Sequence, residues 1–289
     1  MILRPFEYVS CRSPEEAVSA LAEHGDDAVL VAGGTVVVAM MKHDLLRPGV
    51  VVGLDRVDAM RAIDVGANRV RVGALATHRA ITASAELADA LPLLSEACGR
   101  VASPVIRAMG TLGGNICYGE SASDPGPALL VLDATLHLVG AGGERRVRAR
   151  DFYRGFYETD RAADEVLTTI EVPRPGPDVR WTYCKWTPRA QEDKPLIGLA
   201  ATIAAGTDGP LVTMAVGGID PTPVVLASAS AAASGSDLSE AAIDAAADAA
   251  ADEVDPITDL QGSAEYRRDM VRVWVRRVLL GLRDEELAA

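Results

Sequence analysis

Past the middle of the chain, Pro173-Arg174-Pro175-Gly176-Pro177 is a run that neither a helix nor the interior of a sheet can cross. Proline lacks the N–H that both ladders need, and glycine adds backbone freedom. At 289 residues the chain is also roughly twice the usual single-domain size of about 100–150 residues, so the run reads as a boundary between packed units. Beyond it, residues 181–186, 196–205 and 211–219 read as strands of an antiparallel sheet, with Thr207-Asp208-Gly209-Pro210 as a hairpin turn. The alanine-rich tract 227–251 is helical by propensity and interrupted at Gly235. The last apolar segment puts Tyr266, Met270, Trp274 and Val278 at i, i+4 spacing on one face. Two helices are expected to cover that sheet.

Before the boundary the text divides again. Ser13-Pro14-Glu15-Glu16 is a capping box with proline at the first helical position, opening a helix that should stop at Gly25. A buried strand over 27–31 follows, then Ala32-Gly33-Gly34-Thr35, which opens an apolar helical segment through Met41, and a second strand over 50–54. This is a small β-α-β-like unit. From Ile63 the pattern changes to short alternating runs such as Arg69-Val70-Arg71-Val72. Thr77-His78-Arg79-Ala80 leads into a helix running through 91–97, another helix is expected over 127–133, and strands near Leu136, near Val147 and over 166–172 complete a mixed unit. The predicted units are therefore 1–56, 57–176 and 177–289, in an α+β architecture.

Composition narrows the function. With 28 Lys and Arg against 41 Asp and Glu, the net charge of −13 argues against nonspecific binding to nucleic acid or anionic membrane, both of which require a basic surface. The one basic cluster, Arg145, Arg146, Arg148 and Arg150, reads as a solvated strand and its turn. No stretch of about 18 uncharged apolar residues is present, and Met1-Ile2-Leu3-Arg4-Pro5-Phe6-Glu7 is not a basic segment followed by an apolar block, so a cytoplasmic protein without membrane insertion is expected. Cys11, Cys98, Cys117 and Cys184 form no C-x-x-C pair, and His24, His43, His78 and His137 stand at no metal-ligand spacing. Neither a metal site nor an iron–sulfur cluster is expected in this chain.

Two turns pair glycines with a small hydroxyl residue: Gly33-Gly34-Thr35 after a strand, and Thr111-Leu112-Gly113-Gly114-Asn115 before Ile116-Cys117. Glycine lets a backbone approach a phosphate closely, so a pyrophosphate can be gripped by amides of both turns, with Thr35 and Thr111 adding hydroxyls. No lysine is required, and a helix start after Gly34 adds partial positive charge. Either turn alone is an ordinary tight loop, and neither matches a P-loop or a G-x-G-x-x-G fingerprint.

In their order and surroundings these motifs resemble the flavin-binding medium subunit of the molybdenum hydroxylases, the group of aerobic carbon monoxide dehydrogenase and xanthine dehydrogenase. The resemblance spans nearly the whole chain. It is carried by Phe6-Glu7-Tyr8, the Ser13 helix, Ala32-Gly33-Gly34-Thr35, Val72-Gly73-Ala74-Leu75-Ala76-Thr77, the stretch 102–115, Ala122-Ser123-Asp124, Asp151-Phe152, and Ser263-Ala264-Glu265-Tyr266-Arg267-Arg268. It implies a two-part FAD-binding domain of the PCMH type, followed by a C-terminal antiparallel sheet packed with helices. It further implies that Ala32, Gly33, Gly34, Thr35 and Val36 on one side, and Thr111, Gly113, Gly114 and Asn115 on the other, clasp the FAD pyrophosphate. Asp124 is implied to accept hydrogen bonds from cofactor hydroxyls, Leu167 to meet the ring system, and Lys185 to sit at the cofactor, where a cation near the pyrimidine end would stabilise charge gained on reduction. Two stretches depart from the family pattern: Val36-Val37-Val38, and the polar run 117–121.

The function implied is an electron-transfer flavoprotein subunit. In that arrangement a molybdenum-cofactor large subunit oxidises the substrate, an iron–sulfur small subunit relays electrons, and FAD here passes them to an external acceptor. No catalytic side chain is expected. Two alternatives stay open: a self-contained flavin oxidoreductase, with His78 or Cys117 as candidate tethers for FAD, and a flavin-free structural subunit that kept the fold.

Overall fold

The computed structural model describes residues 3–207 and 209–284. Met1 and Ile2 of the opening stretch and Asp208 of the predicted turn lie outside them.

The first strand, β1 (Glu7–Ser10), leads to Ser13, whose hydroxyl accepts a hydrogen bond from Glu16 N and so caps α1 (Pro14–His24), which ends at Gly25 with φ +53°. After β2 (Ala28–Val31), α2 (Val37–Lys42) and β3 (Val50–Gly53) complete a three-stranded parallel sheet in the order β1-β3-β2. The unit contains one more strand than the β-α-β pattern, because the four residues of β1 are too few to show a period. Its central strand β3 is buried along its whole length.

The second layer begins with β4 (Ile63–Val65) and β5 (Arg69–Gly73). Six helices follow: α3 (His78–Ala83), α4 (Ala85–Ala90), α5 (Pro92–Gly99), α6 (Pro104–Met109), α7 (Leu112–Tyr118) and α8 (Pro125–Val131). The single helix expected up to residue 97 is thus three. Ser84 caps α4 by accepting from Leu87 N, and Pro92 forces Leu91 out of helical geometry (φ −136°), so the chain turns twice. Then come β6 (Thr135–Gly140), β7 (Gly143–Arg148), the hairpin of β8 (Tyr153–Gly155) and β9 (Glu158–Thr159), and β10 (Val166–Pro173). A five-stranded antiparallel sheet runs β4-β5-β10-β6-β7. The basic cluster sits on and just after β7, where Arg145 is bound to Asp160 and Glu165 and Arg148 to Asp133.

After the proline run, β11 (Arg180–Trp186), β12 (Ile197–Gly206), β13 (Gly209–Gly217) and β14 (Val224–Val225) form the antiparallel sheet in sequence order. It is covered by α9 (Ala227–Ala233), α10 (Glu240–Glu253) and α11 (Ala264–Asp284), three helices rather than two, with Gly235 at φ +70° in the break between the first two. Both faces of this sheet are buried. Tyr183, Ala200 and Ala215 join the core shared with α8, while Leu199, Ala201, Met214 and Val216 face the three helices. The period-2 alternation of β11 therefore sends Tyr183 toward the preceding unit and leaves Cys184 and Trp186 against the helices.

The predicted face of α11 needs correction. Tyr266 is exposed, and the buried stripe is Arg267, Val271, Val275, Val278, Leu279 and Leu282. Val278 belongs to both stripes, and Met270 and Trp274 are half-buried against the same core, so the buried stripe is displaced from the expected face by about one residue. The valines of this stripe meet the helix-facing residues of β12 and β13, among them Leu199, Ala201, Met214 and Val216, while Trp274 stays at the edge against Trp186, ring centroids 5.5 Å apart.

Candidate cofactor site

The two glycine turns are in contact. A Cβ built on Gly33 would lie 2.0 Å from the carbonyl oxygen of Met109, the last residue of α6, and one on Gly114 would lie 3.8 Å from Ala32 Cβ. At Gly34 the backbone turns at φ +69°, which only glycine adopts without strain, and α2 starts three residues later. The second turn is anchored from below. Thr77 lies opposite Thr111, His78 N donates to Gly110 O at 3.0 Å, and Leu112 N to Ala76 O at 3.0 Å.

The two turns differ in what they offer a ligand. Gly113 and Gly114 are not a loop but the first turn of α7, capped by Thr111, whose hydroxyl accepts from Gly114 N at 3.1 Å. Gly113 N donates to Ala74 O at 2.9 Å and Asn115 N to Thr111 O at 2.9 Å, so with Leu112 N every amide from 112 to 115 is already taken. The expectation that both turns present free amides fails at this one: its glycines are small so that α7 can press on Ala74, whose Cβ would be 2.5 Å from a Cβ on Gly113. The first turn is different. Among the described residues no hydrogen bond takes the N–H of Thr35, Val36 or Val37, and the first amide the chain uses there is Val38 N, donating to Gly34 O at 3.0 Å. These are the open amides of a helix start, favourable to an anion.

Above the turns lies a cavity of about 370 Å³. All twelve residues expected at a cofactor line it: Ala32, Gly33, Gly34, Thr35, Val36, Thr111, Gly113, Gly114, Asn115, Asp124, Leu167 and Lys185. The sequence reading missed much of the apolar wall. Leu30 and Leu54 lie at the carboxyl ends of parallel strands, where ligands of open α/β sheets gather, and that rule would have found them. Met60, Val101 and Ile106 carry no such signal; they arrive from separate segments.

Asp124 and Lys185 meet each other. Lys185 Nζ donates to Asp124 Oδ2 at 3.1 Å and to Arg100 O at 2.7 Å, while Tyr183 OH donates to Asp124 Oδ1 at 2.8 Å. Both charged side chains are nearly inaccessible, 4% exposed for Lys185 and 6% for Asp124. Burial raises the Asp124 carboxyl to about 6, against the pull of Lys185 and of the Tyr183 hydroxyl. At the rim, Glu120 accepts from Tyr157 OH at 2.9 Å and is ion-paired to Lys194, and the Tyr118 and Tyr157 rings stand 4.9 Å apart. The two side chains named as possible tethers also line the cavity, and neither is activated. Burial pushes the Cys117 thiol up to about 11 and the His78 imidazole down to about 4, leaving both neutral near pH 7. Among the described residues, no hydrogen-bond partner meets the buried His78 Nδ1.

These features fit a dinucleotide-type cofactor: a close backbone approach that a Cβ would block, three open amides at a helix start, and an apolar wall ending in a buried ion pair.

Comparison with known proteins is consistent along the chain. Residues 4–175 match the family model described as the FAD binding domain in molybdopterin dehydrogenase, and residues 182–282 match that of the CO dehydrogenase flavoprotein C-terminal domain. The carbon monoxide dehydrogenase medium chain of Afipia carboxidovorans is 34% identical over 286 residues, covering 96% of this chain and 97% of that one. The nicotine 6-hydroxylase medium subunit of Paenarthrobacter nicotinovorans is 32% identical over 285 residues, covering 97% and 98%. Among solved structures, carbon monoxide dehydrogenase from Hydrogenophaga pseudoflava superposes with a TM-score of 0.94 at 32% identity, covering 98% of each chain. Quinoline 2-oxidoreductase from Pseudomonas putida 86 does so with a TM-score of 0.92 at 27% identity, covering 99% of each.

Proposed function

The chain belongs to the FAD-binding medium subunits of the molybdenum hydroxylases, the flavoprotein subunits of multi-subunit dehydrogenases and hydroxylases, and from that premise we propose that it carries electrons from partner iron–sulfur clusters to an external acceptor. In this reading a molybdenum-cofactor large subunit oxidises the substrate and an iron–sulfur small subunit feeds the present chain, in the cytoplasm. Among the described residues no helix is long and apolar enough to cross a membrane.

The observation that carries the reading is the contact of Gly33 with the Met109 carbonyl, which closes the two turns on each other under the cavity. FAD, when bound, supplies the redox chemistry that amino-acid side chains lack. The chain does the rest. The amides of Thr35, Val36 and Val37 and the Thr35 hydroxyl meet the diphosphate, with the positive end of α2 behind them. Thr111, Gly113 and Gly114 act as the opposite wall, letting α7 approach rather than donating amides. Asn115, which accepts a hydrogen bond from the Ser123 hydroxyl, is held with its amide group in the cavity lining, and Leu167 gives an apolar surface to the ring system. In this reading the Asp124–Lys185 pair, oriented by Tyr183 and the Arg100 carbonyl, would meet cofactor hydroxyls and ring polar atoms. Of the three units we assign, 1–56 provides the open turn and 57–176 the closed one, while 177–289 contributes Lys185 from β11.

The test is direct. The chain purified without partners and freed of colour should take up one FAD per chain with quenching of flavin fluorescence, and acid denaturation should release it unmodified. Co-purification from the native host should bring down a molybdenum-containing and an iron–sulfur subunit. A chain that binds no flavin under any reconstitution would leave the structural-subunit alternative standing.

A further inference from the structure

Among the described residues three cations line the cavity: Lys185, Lys194 and Arg161. The first two are neutralised within the chain, Lys185 by Asp124 and Lys194 by Glu120. Arg161 is not. Its Nη1 donates to three backbone carbonyls, Ala162 O at 2.9 Å, Ala163 O at 3.3 Å and Glu165 O at 2.7 Å. Among the described residues it has no carboxylate partner, because its neighbours are engaged elsewhere: Asp160 is bound by Arg145 and Arg154, and the Glu165 carboxylate by Arg145. The remaining anions of the lining, Glu192 and Asp193, are exposed at the rim, where water screens them.

Position matters as much as charge. Arg161 follows the β8–β9 hairpin, which presses on the far end of α7: a Cβ on Gly119 would lie 3.1 Å from Thr159 Cγ2. Its field reaches Cys117 in the last turn of that helix. Thr111 and Gly113 are at the opposite end of the same helix, and Arg161 is bound to the carbonyl of Glu165, two residues before Leu167 in the cavity wall. The three carbonyls fix the guanidinium by one nitrogen, and among the described residues nothing claims the rest of the group.

We propose that Arg161 is the residue that sets the net positive charge of this cavity at its ring end, and that it thereby makes the bound flavin easier to reduce, a role that the mutually neutralised Asp124–Lys185 pair does not fill. The inference rests on the reading of the cavity as the flavin site. Its physical basis is that a charge held a few ångströms from a group that gains negative charge, with little intervening water, acts far more strongly than an exposed or paired one.

The experiment compares wild type, R161Q and R161K in the assembled complex, measuring FAD content and the flavin midpoint potential by equilibration with redox dyes. Gln keeps a donor for the carbonyls without the charge, and Lys keeps both. R161Q should retain FAD and shift the reduced-to-oxidised ratio at a fixed potential at least tenfold toward oxidised, about 30 mV for a two-electron couple. R161K should stay within threefold of wild type. Three results overturn the proposal: R161Q within threefold of wild type, meaning that the guanidinium only braces residues 162–165; equal shifts in both variants; or loss of FAD from R161Q, which would put the side chain on the diphosphate or in a purely structural role. A wild-type chain that takes up no FAD sinks the parent reading instead, and that outcome is visible before any variant is made.

Discussion

Replacing Gly33 by alanine tests the central contact of the site with one carbon atom. The added Cβ would lie 2.0 Å from Met109 O and 2.8 Å from Met109 C, both backbone atoms that cannot rotate away. A comfortable carbon–oxygen contact is about 3.3 Å, so the two turns must part by about 1.3 Å. The second turn resists, because Gly110 N is bonded to Ile106 O and Gly110 O to His78 N. Overpacking of this kind costs about 1–3 kcal/mol. If the parted turns lose that much of their grip on the cofactor, FAD binding weakens about 5- to 150-fold. Flavin-fluorescence titration of the apo chain reads the affinity, and a thermal melt without FAD separates the cost to folding from the cost to binding. Gly34→Ala is the comparison: its Cβ would meet only side-chain carbons, Val38 Cγ2 at 3.5 Å and Val31 Cγ1 at 3.6 Å, but at φ +69° it carries backbone strain of about 1–2 kcal/mol. G33A with wild-type affinity and melting temperature would show that the approach of the turns does not hold the site together.

Three further substitutions probe the buried pair and the helix face. In Lys185→Met the Asp124 carboxylate loses the cation that opposes its burial. Its native value is about 6 against an ordinary value of about 3.9, so its folded form holds the proton more tightly than the unfolded chain does. The stability that comes with the proton is complete below about pH 4 and is lost as pH rises through about 6, and removing Lys185 moves the upper edge of that window higher. K185M should therefore cost about 3 kcal/mol in urea melts at pH 8 and less than half of that at pH 5, whereas an equal loss at both would argue against the pair. On α11, Val275→Ala should destabilise by about 2 kcal/mol while Tyr266→Ala stays within about 0.5, in the same melts; the reverse order would restore the face read from the sequence.

The residues themselves specified what depends on near neighbours. The capping box at Ser13, the stop at Gly25, the break at Gly235, the proline run and the strand pairing on either side of 207–210 are all encoded within a few residues, because capping, φ preference and the loss of an N–H are local effects. Motif order was equally legible, and the twelve residues it led to all line one cavity. Short helices between 78 and 99 were less so, since serine caps and a mid-segment proline cut an otherwise continuous apolar pattern.

What the fold alone decided concerns partners distant in the chain. That Lys185 meets Asp124, 61 residues away, follows from β11 alternation delivering Tyr183 and Lys185 to the start of α8. That the second glycine turn offers no free amide follows in part from Ala74 and Ala76, which take Gly113 N and Leu112 N, while Thr111 takes those of Gly114 and Asn115 locally. Which stripe of α11 is buried follows from the shape of the sheet beneath it. Sequence fixes what each segment is able to do; which hydrogen-bonding groups and charges remain uncommitted at a site is settled only when distant segments have taken their share.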